Sequence, residues 1–230
     1  MTAPASHDVN FSGVNNEQDL KLLEGSEAVE VVVGDAEHSK IWSLPKNLLV
    51  HISPFFAAAL NGSFAEASSK TITFPEDDPA AFEMFVQWMY VGKTGRNSTE
   101  DIAIHIESWI LGDKLGCPVF QDRAMLKLLH LHSAHLIQPK TLQLAYEGSA
   151  AGSKLRKWAL QHFIYNAQYE KFVTNLENWA AVAKAVADFG SDYVAASAAT
   201  FKDLWFNPIE KGQLYLEILA YKDERLDKKA

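Results

Sequence analysis

Three histidines form the densest group of side chains in this sequence that could do chemistry. His130, His132 and His135 stand within six residues, and the last two, three apart, can share one face of a helix. Imidazole is a common zinc ligand, but a metal site here would need a third and a fourth ligand from elsewhere in the chain. Because unliganded surface histidines are common, we interpret the group as the polar side of a helix and expect no metal.

Two further features carry potentially reactive groups. Cys117 stands between Gly116 and Pro118 at a predicted helix junction, and a reactive thiolate there would need a neighbouring base or a helix N-terminus. We interpret it as a small buried side chain at a corner. The acidic run 76–78 precedes a predicted helix, where carboxylates are stabilised by the helix dipole.

The sequence contains none of the short motifs that mark common catalytic or nucleotide-binding sites. G-x-S-x-G, G-x-x-x-x-G-K-[ST], G-x-G-x-x-G and H-E-x-x-H are all absent. We therefore expect no catalytic residue, no cofactor and no enzymatic activity.

Charge and composition narrow the classes of partner. The chain of 230 residues has a net charge of −8, and residues 1–100 hold 14 acidic and 6 basic residues. Proteins that bind nucleic acid draw most of their nonspecific affinity from lysine and arginine, so we expect no direct nucleic-acid contact. The 11% aromatic content favours packed cores and protein-contact surfaces instead.

Several observations predict an intracellular protein of the cytoplasm or the nucleus. The single cysteine excludes an intramolecular disulfide and fits a reducing compartment. No stretch is long and apolar enough for a transmembrane helix, and the first residues carry neither the basic nor the apolar part of a signal peptide. We therefore expect no membrane contact.

The pattern of elements predicts an α+β fold. Strands are predicted only in the first third of the chain, at 29–33, 39–44 and 71–74. Ser53-Pro54 and Asp78-Pro79 each combine an N-cap residue with proline at the first helical position, and the helix after Pro79 has the clearest amphipathic period. The remaining predicted helices cover 16–23, a segment opened by a capping box at Ser98, 119–135, 141–146, 154–165, 179–186 and a last helix from Pro208.

Residues 29–95 carry a series of linked motifs in a fixed order. They are Ser53-Pro54-Phe55-Phe56, Phe64-Ala65-Glu66, the strand Thr71–Phe74 followed by Asp77-Asp78-Pro79, and Trp88-Met89-Tyr90-Val91-Gly92, with Leu111-Gly112-Asp113-Lys114-Leu115 further on. Together they resemble a BTB/POZ domain over residues 17–136, of the short stand-alone type common in filamentous fungi. We therefore predict a flexible N-terminal arm at 1–16, the BTB/POZ domain at 17–136 and a helical C-terminal extension at 137–230.

The resemblance also implies interaction surfaces. Members of the family dimerise, often through the first helix and an exchanged N-terminal strand, for which Val9, Phe11, Leu20 and Leu23 are the candidates here; packing of the two leucines onto their own core is the alternative. The family often has aspartate in its first strand and a basic residue after the second. Glu30 and Lys46 stand at these positions, and they form either a charged pocket or a structural ion pair.

Two functions follow from the resemblance, and both make the chain a non-enzymatic protein-interaction module. In the first, it is a substrate adaptor of a cullin-type ubiquitin ligase, because cullin-binding members use a hydrophobic-x-Glu turn that Phe64-Ala65-Glu66 matches. In the second, it is a self-associating scaffold or a transcription-related oligomerisation module without a cullin contact. Phe64 packing under its own loop and a solvated Glu66 are the alternative to a cullin site.

Overall fold

The computed structural model describes residue 11 and residues 13–62, 65–92, 101–132, 136–167, 176–198 and 213–217. The strands in this part of the chain are β1 (Ala28–Val33), β2 (Lys40–Pro45) and β3 (Thr71–Phe74). The helices are α1 (Glu17–Lys21), α2 (Lys46–Ile52), α3 (Pro54–Asn61), α4 (Ala65–Ser69), α5 (Pro79–Val91), α6 (Ile102–Leu115), α7 (Pro118–His132), α8 (Pro139–Glu147), α9 (Lys154–Asn166), α10 (Leu176–Ala185) and α11 (Ala187–Ala198). Strands confined to the first third and helices throughout confirm the predicted α+β class.

The strands form one small sheet with β1 in its centre. The strand order is β2-β1-β3, and β1 runs antiparallel to β2 and parallel to β3. Val29, Val31 and Val33 are fully buried on one face of β1, as the alternation of a half-buried strand requires. The opposite face of the sheet is largely exposed, which leaves Ile41 of β2 with 66% of its surface accessible.

Local capping signals set the beginnings of the two best-predicted helices. The Ser53 hydroxyl accepts the backbone N–H of Phe56 at 3.3 Å and donates to the Leu115 carbonyl at 2.7 Å. The Asp78 carboxylate accepts the N–H of Ala80 at 2.6 Å, and α5 ends at Gly92 in the left-handed conformation. Both helices therefore begin at the proline that the sequence predicts.

Contacts divide the chain into two compact units, 1–99 with 107–123 and 100–106 with 124–230. The core of the first unit is an aromatic cluster in which neighbouring ring centroids lie 5.3–6.4 Å apart. Its members are Phe56, Phe74, Phe82, Phe85, Trp88 and Phe120. Tilted and edge-to-face contacts of this kind stabilise a core beyond the area that they bury. The predicted domain boundaries at residues 16 and 136 stay a prediction.

Arg156 joins elements of the second unit. Its Nη2 donates to the carbonyl of Tyr146, at the end of α8, at 2.6 Å. Its Nε donates to the carbonyl of Ser149, two residues beyond that helix, at 2.9 Å. Its Nη1 lies 2.9 Å from a carboxylate oxygen of Asp188 in α11. The arginine side chain, which is 12% exposed, therefore supplies donors to carbonyls at a helix C-terminus and links two helices.

The structure differs from the sequence-based elements at four places. The predicted opening of α6 at Ser98 is wrong, because the helix begins at Ile102 and the Asp101 carboxylate accepts the Ala103 N–H at 2.9 Å. The helices α4 and α11 were not predicted, since α4 has only five residues and the apolar pattern of α11 is weak. Of the predicted helix from Pro208, only residues 213–217 are described, and they form a short 3₁₀ turn at 213–215 followed by irregular backbone instead of an α-helix. Among the described residues, no helix combines the length and the apolar character needed to cross a membrane.

Candidate protein-interaction site

The predicted cullin contact falls on the short helix between α3 and β3. Glu66 lies in the first turn of α4 and is half-buried, while Phe64 lies outside the described residues. The turn that the hydrophobic-x-Glu motif predicts is therefore a helix at Glu66. A carboxylate in this position is suited to the polar rim of a protein interface.

Lys70 ends α4 and begins the pairing of β3 with β1. Its φ of 55° is left-handed, a conformation that is costly for a residue with a side chain. Its N–H donates to the Glu66 carbonyl at 2.9 Å, and its carbonyl accepts the Glu30 N–H at 2.9 Å. Sequence reasoning missed this residue, because only glycine or asparagine would have signalled a left-handed helix end.

Charged side chains flank this junction. The Lys70 ammonium lies 2.9 Å from a Glu27 carboxylate oxygen. Its hydrogen bond and its charge, with a smaller effect of Lys46, lower the pKa of Glu27. Glu30 is exposed on β1, and the N–H of Lys46 donates to the Glu27 carbonyl at 2.8 Å. Among the described residues the ion pair at this place joins Lys70 to Glu27, and none joins Glu30 to Lys46; the charged pocket stays a prediction.

Phe11, predicted at a dimer interface, is buried against its own chain. The ring is 4% exposed and meets Trp88 at 5.9 Å and His51 at 5.8 Å between centroids, both edge-on. Gly13 supports this position, since a Cβ built there would lie 2.2 Å from the Gly92 nitrogen. An exchanged arm would place such a segment on a partner, so its part in a dimer stays a prediction. Val9 lies outside the described residues.

The two leucines predicted in the first helix have different environments. Leu20 lies in α1 with 53% of its surface exposed, and Leu23, two residues beyond the helix, is half-buried. The Asn16 side chain caps α1 by accepting the Asp19 N–H at 2.9 Å. Leu20 is thus available to a partner, whereas Leu23 already contributes to packing; the dimer assignment stays a prediction.

The acidic run at 76–78 lines a cavity of about 360 Å³ in the first unit. Asp78 caps α5, and Asp77 lies 2.6 Å from the Lys114 ammonium. Glu107 lines the same cavity, and burial together with the nearby Asp78 and Asp77 raises its pKa. Two of these carboxylates therefore have structural roles, as the helix-dipole interpretation predicts for this run.

The other chemically active groups of the sequence lie apart from this surface. Cys117 is buried, with its Sγ 3.4 Å from the Ile52 carbonyl, and burial raises the pKa of the thiol to about 12. It is therefore a poor nucleophile. His130 is exposed, and His135 lies outside the described residues. In the described part of the chain, no group of three or more His, Cys, Asp or Glu side chains is arranged to hold a metal ion.

The described geometry offers surface for contacts with other proteins. It consists of a short helix with a half-exposed glutamate, an open sheet face and an exposed leucine on α1. A comparison with curated proteins gives no match. The family model of the BTB/POZ domain matches residues 26–122, which span β1 to the first turns of α7. Residues 26–122 therefore form a BTB/POZ domain, and domains of this type are generally non-enzymatic modules that bind protein partners and often self-associate.

Proposed function

We propose that the chain is a substrate adaptor of a cullin-type ubiquitin ligase. The observation that carries the proposal is the placement of Glu66 in the first turn of α4, half-buried and two residues after Phe64 in the sequence. An apolar side chain followed by a rim carboxylate is the combination expected of an interface anchor and its polar neighbour. The cullin N-terminal domain would bind across α4.

The helices of the second unit supply the other half of the adaptor. α8 and α9 carry the buried Leu142, Leu155 and Trp158 and hold together through their own core. Their exposed faces leave surface for a second protein. In this proposal the BTB/POZ domain binds the ligase scaffold, and the C-terminal helices recruit the target.

Calorimetric titration with the N-terminal domain of a BTB-binding cullin tests the proposal. We expect submicromolar binding by the wild type and at least a tenfold loss in Phe64→Ala and in Glu66→Lys, because each removes one element of the anchor and rim pair. Glu37→Lys is the matched control, since it makes the same charge change at an exposed residue of the β1–β2 turn. Absence of binding by folded wild-type protein would contradict the proposal, as would an equal loss in the Glu37→Lys control.

Self-association without a cullin contact is the second candidate function. The exposed Leu20 favours it, because a large apolar side chain on a short helix is well placed for a contact between copies. Light scattering of the wild type and of Leu20→Asp decides it. A dimer that becomes a monomer in the variant would support this function, and an unchanged mass would assign Leu20 no part in it.

A further inference from the structure

Lys70 combines an unfavourable backbone conformation with two backbone hydrogen bonds and an ion pair. Glycine adopts a φ of 55° readily, whereas a residue with a Cβ pays for it. Lys70 also lies at the C-terminal end of α4, where an αL residue is most often glycine. Strain of this kind persists where the surrounding structure holds the residue in place.

Of the three bonds of Lys70, one ends α4 and two connect this end of the helix to β1 and the residue before it. Its N–H ends the helix at the Glu66 carbonyl, its carbonyl accepts the Glu30 N–H of β1, and its ammonium pairs with Glu27 just before β1. The backbone bonds would survive a change of side chain. The ion pair would not, and it is the only one of the three that the choice of lysine adds.

We propose that Lys70 is a positioning residue for the α4 surface, which its ion pair with Glu27 ties to the start of β1. The inference rests on the proposed function, because the partner that would bind at α4 is the cullin domain. Glu66 is four residues before Lys70 and accepts its N–H, so a looser α4 end moves the rim carboxylate directly. An exposed pair of this kind contributes a small interaction, and a two- to fivefold loss of affinity is the expected effect.

The test separates positioning from stability by using four variants. Lys70→Gly removes the ammonium but relieves the strained φ, Glu27→Gln removes the pair and leaves the backbone alone, and Lys70→Arg keeps the charge. Glu83→Gln is the matched control, because it breaks the similarly exposed Lys40–Glu83 pair at 3.2 Å. We expect two- to fivefold weaker cullin-domain binding in the first two variants, wild-type binding in the last two, and a thermal midpoint of Lys70→Gly no lower than that of the wild type.

Amide exchange gives a readout that does not depend on the cullin. The Lys70 N–H, bound to the Glu66 carbonyl, should exchange faster in Glu27→Gln than in the wild type or in Glu83→Gln. If the wild type does not bind the cullin domain, the proposed function fails, and this exchange rate alone decides whether Lys70 holds α4. Wild-type affinity in both Lys70→Gly and Glu27→Gln, or an unchanged exchange rate, would overturn the role of Lys70.

Discussion

Replacing Phe11 by alanine tests whether the start of the described chain is part of the first unit's core. The ring is 4% exposed and packs edge-on against Trp88 and His51. Burial of a side chain of this size contributes about 1.5–3 kcal/mol, and each edge-to-face contact adds about 0.5–1.5 kcal/mol. Because the surrounding structure partly relaxes around the missing ring, we expect Phe11→Ala to lower the free energy of unfolding by about 2–4 kcal/mol.

Urea unfolding at several protein concentrations measures this loss and assigns it to the right interaction. A contact within one chain gives the same loss at every concentration, whereas a contact between copies gives a loss that depends on concentration. Leu20→Ala is the control, since Leu20 is 53% exposed and its truncation should change stability by no more than about 0.5 kcal/mol. A Phe11→Ala loss below about 0.5 kcal/mol, or one confined to high concentration, would refute the packing argument.

Three further substitutions or treatments follow from the same structure. Gly13→Ala should lower the free energy of unfolding by about 2–4 kcal/mol, because its Cβ would lie 2.2 Å from the Gly92 nitrogen at a φ of +98°. Gly25→Ala is the control: Gly25 is also left-handed but has open space around it, so the loss should be about 1 kcal/mol. Equal losses in urea unfolding would contradict the clash. Glu107→Gln should stabilise the protein at pH 7 and have little effect below pH 4.5, because a carboxyl whose pKa is raised by burial contributes stability that is lost as pH rises. Urea unfolding at the two pH values measures this difference. A stabilisation of the same size at both pH values would contradict the prediction. Cys117, buried and with its thiol pKa raised to about 12, should react with a thiol reagent only when the protein unfolds, and rapid labelling under native conditions would show that the site opens.

Capping signals were predictable because each lies within a few residues of the atoms that it serves. A serine or aspartate before proline supplies an acceptor to an N–H two or three residues away and a residue already shaped for the first helical turn. Ser53 and Asp78 therefore indicated the starts of α3 and α5 correctly. The start of α6 was misplaced for the same local reason, since Ser98 and Asp101 are both acceptable caps and only the structure distinguishes them.

Long-range contacts explain what the sequence could not show about the candidate site. The sequence alone predicts that Phe11 belongs to a flexible arm. In the structure its ring packs against Trp88 and His51, which are distant in the sequence. No local pattern distinguishes Lys70 from any other exposed lysine. In the structure its ammonium pairs with Glu27 and its carbonyl accepts the Glu30 N–H. In both cases the contacting residues belong to elements that are distant in the sequence, and no local pattern connects them to Phe11 or to Lys70.

The same distinction bears on how partner contacts arise in this chain. The motif Phe64-Ala65-Glu66 is local, and a local motif says which side chains are present but not which way they are held. In our proposal Lys70 holds α4 in place. Its N–H bond to Glu66 is local to the helix, whereas its carbonyl accepts the Glu30 N–H of β1 only once β3 has paired in parallel with β1. A sequence with the motif but without a residue that ends α4 in this way would present the same side chains on a less ordered helix. Affinity for a partner at α4 should therefore follow the order of the β1–β3 junction as well as the identity of the motif.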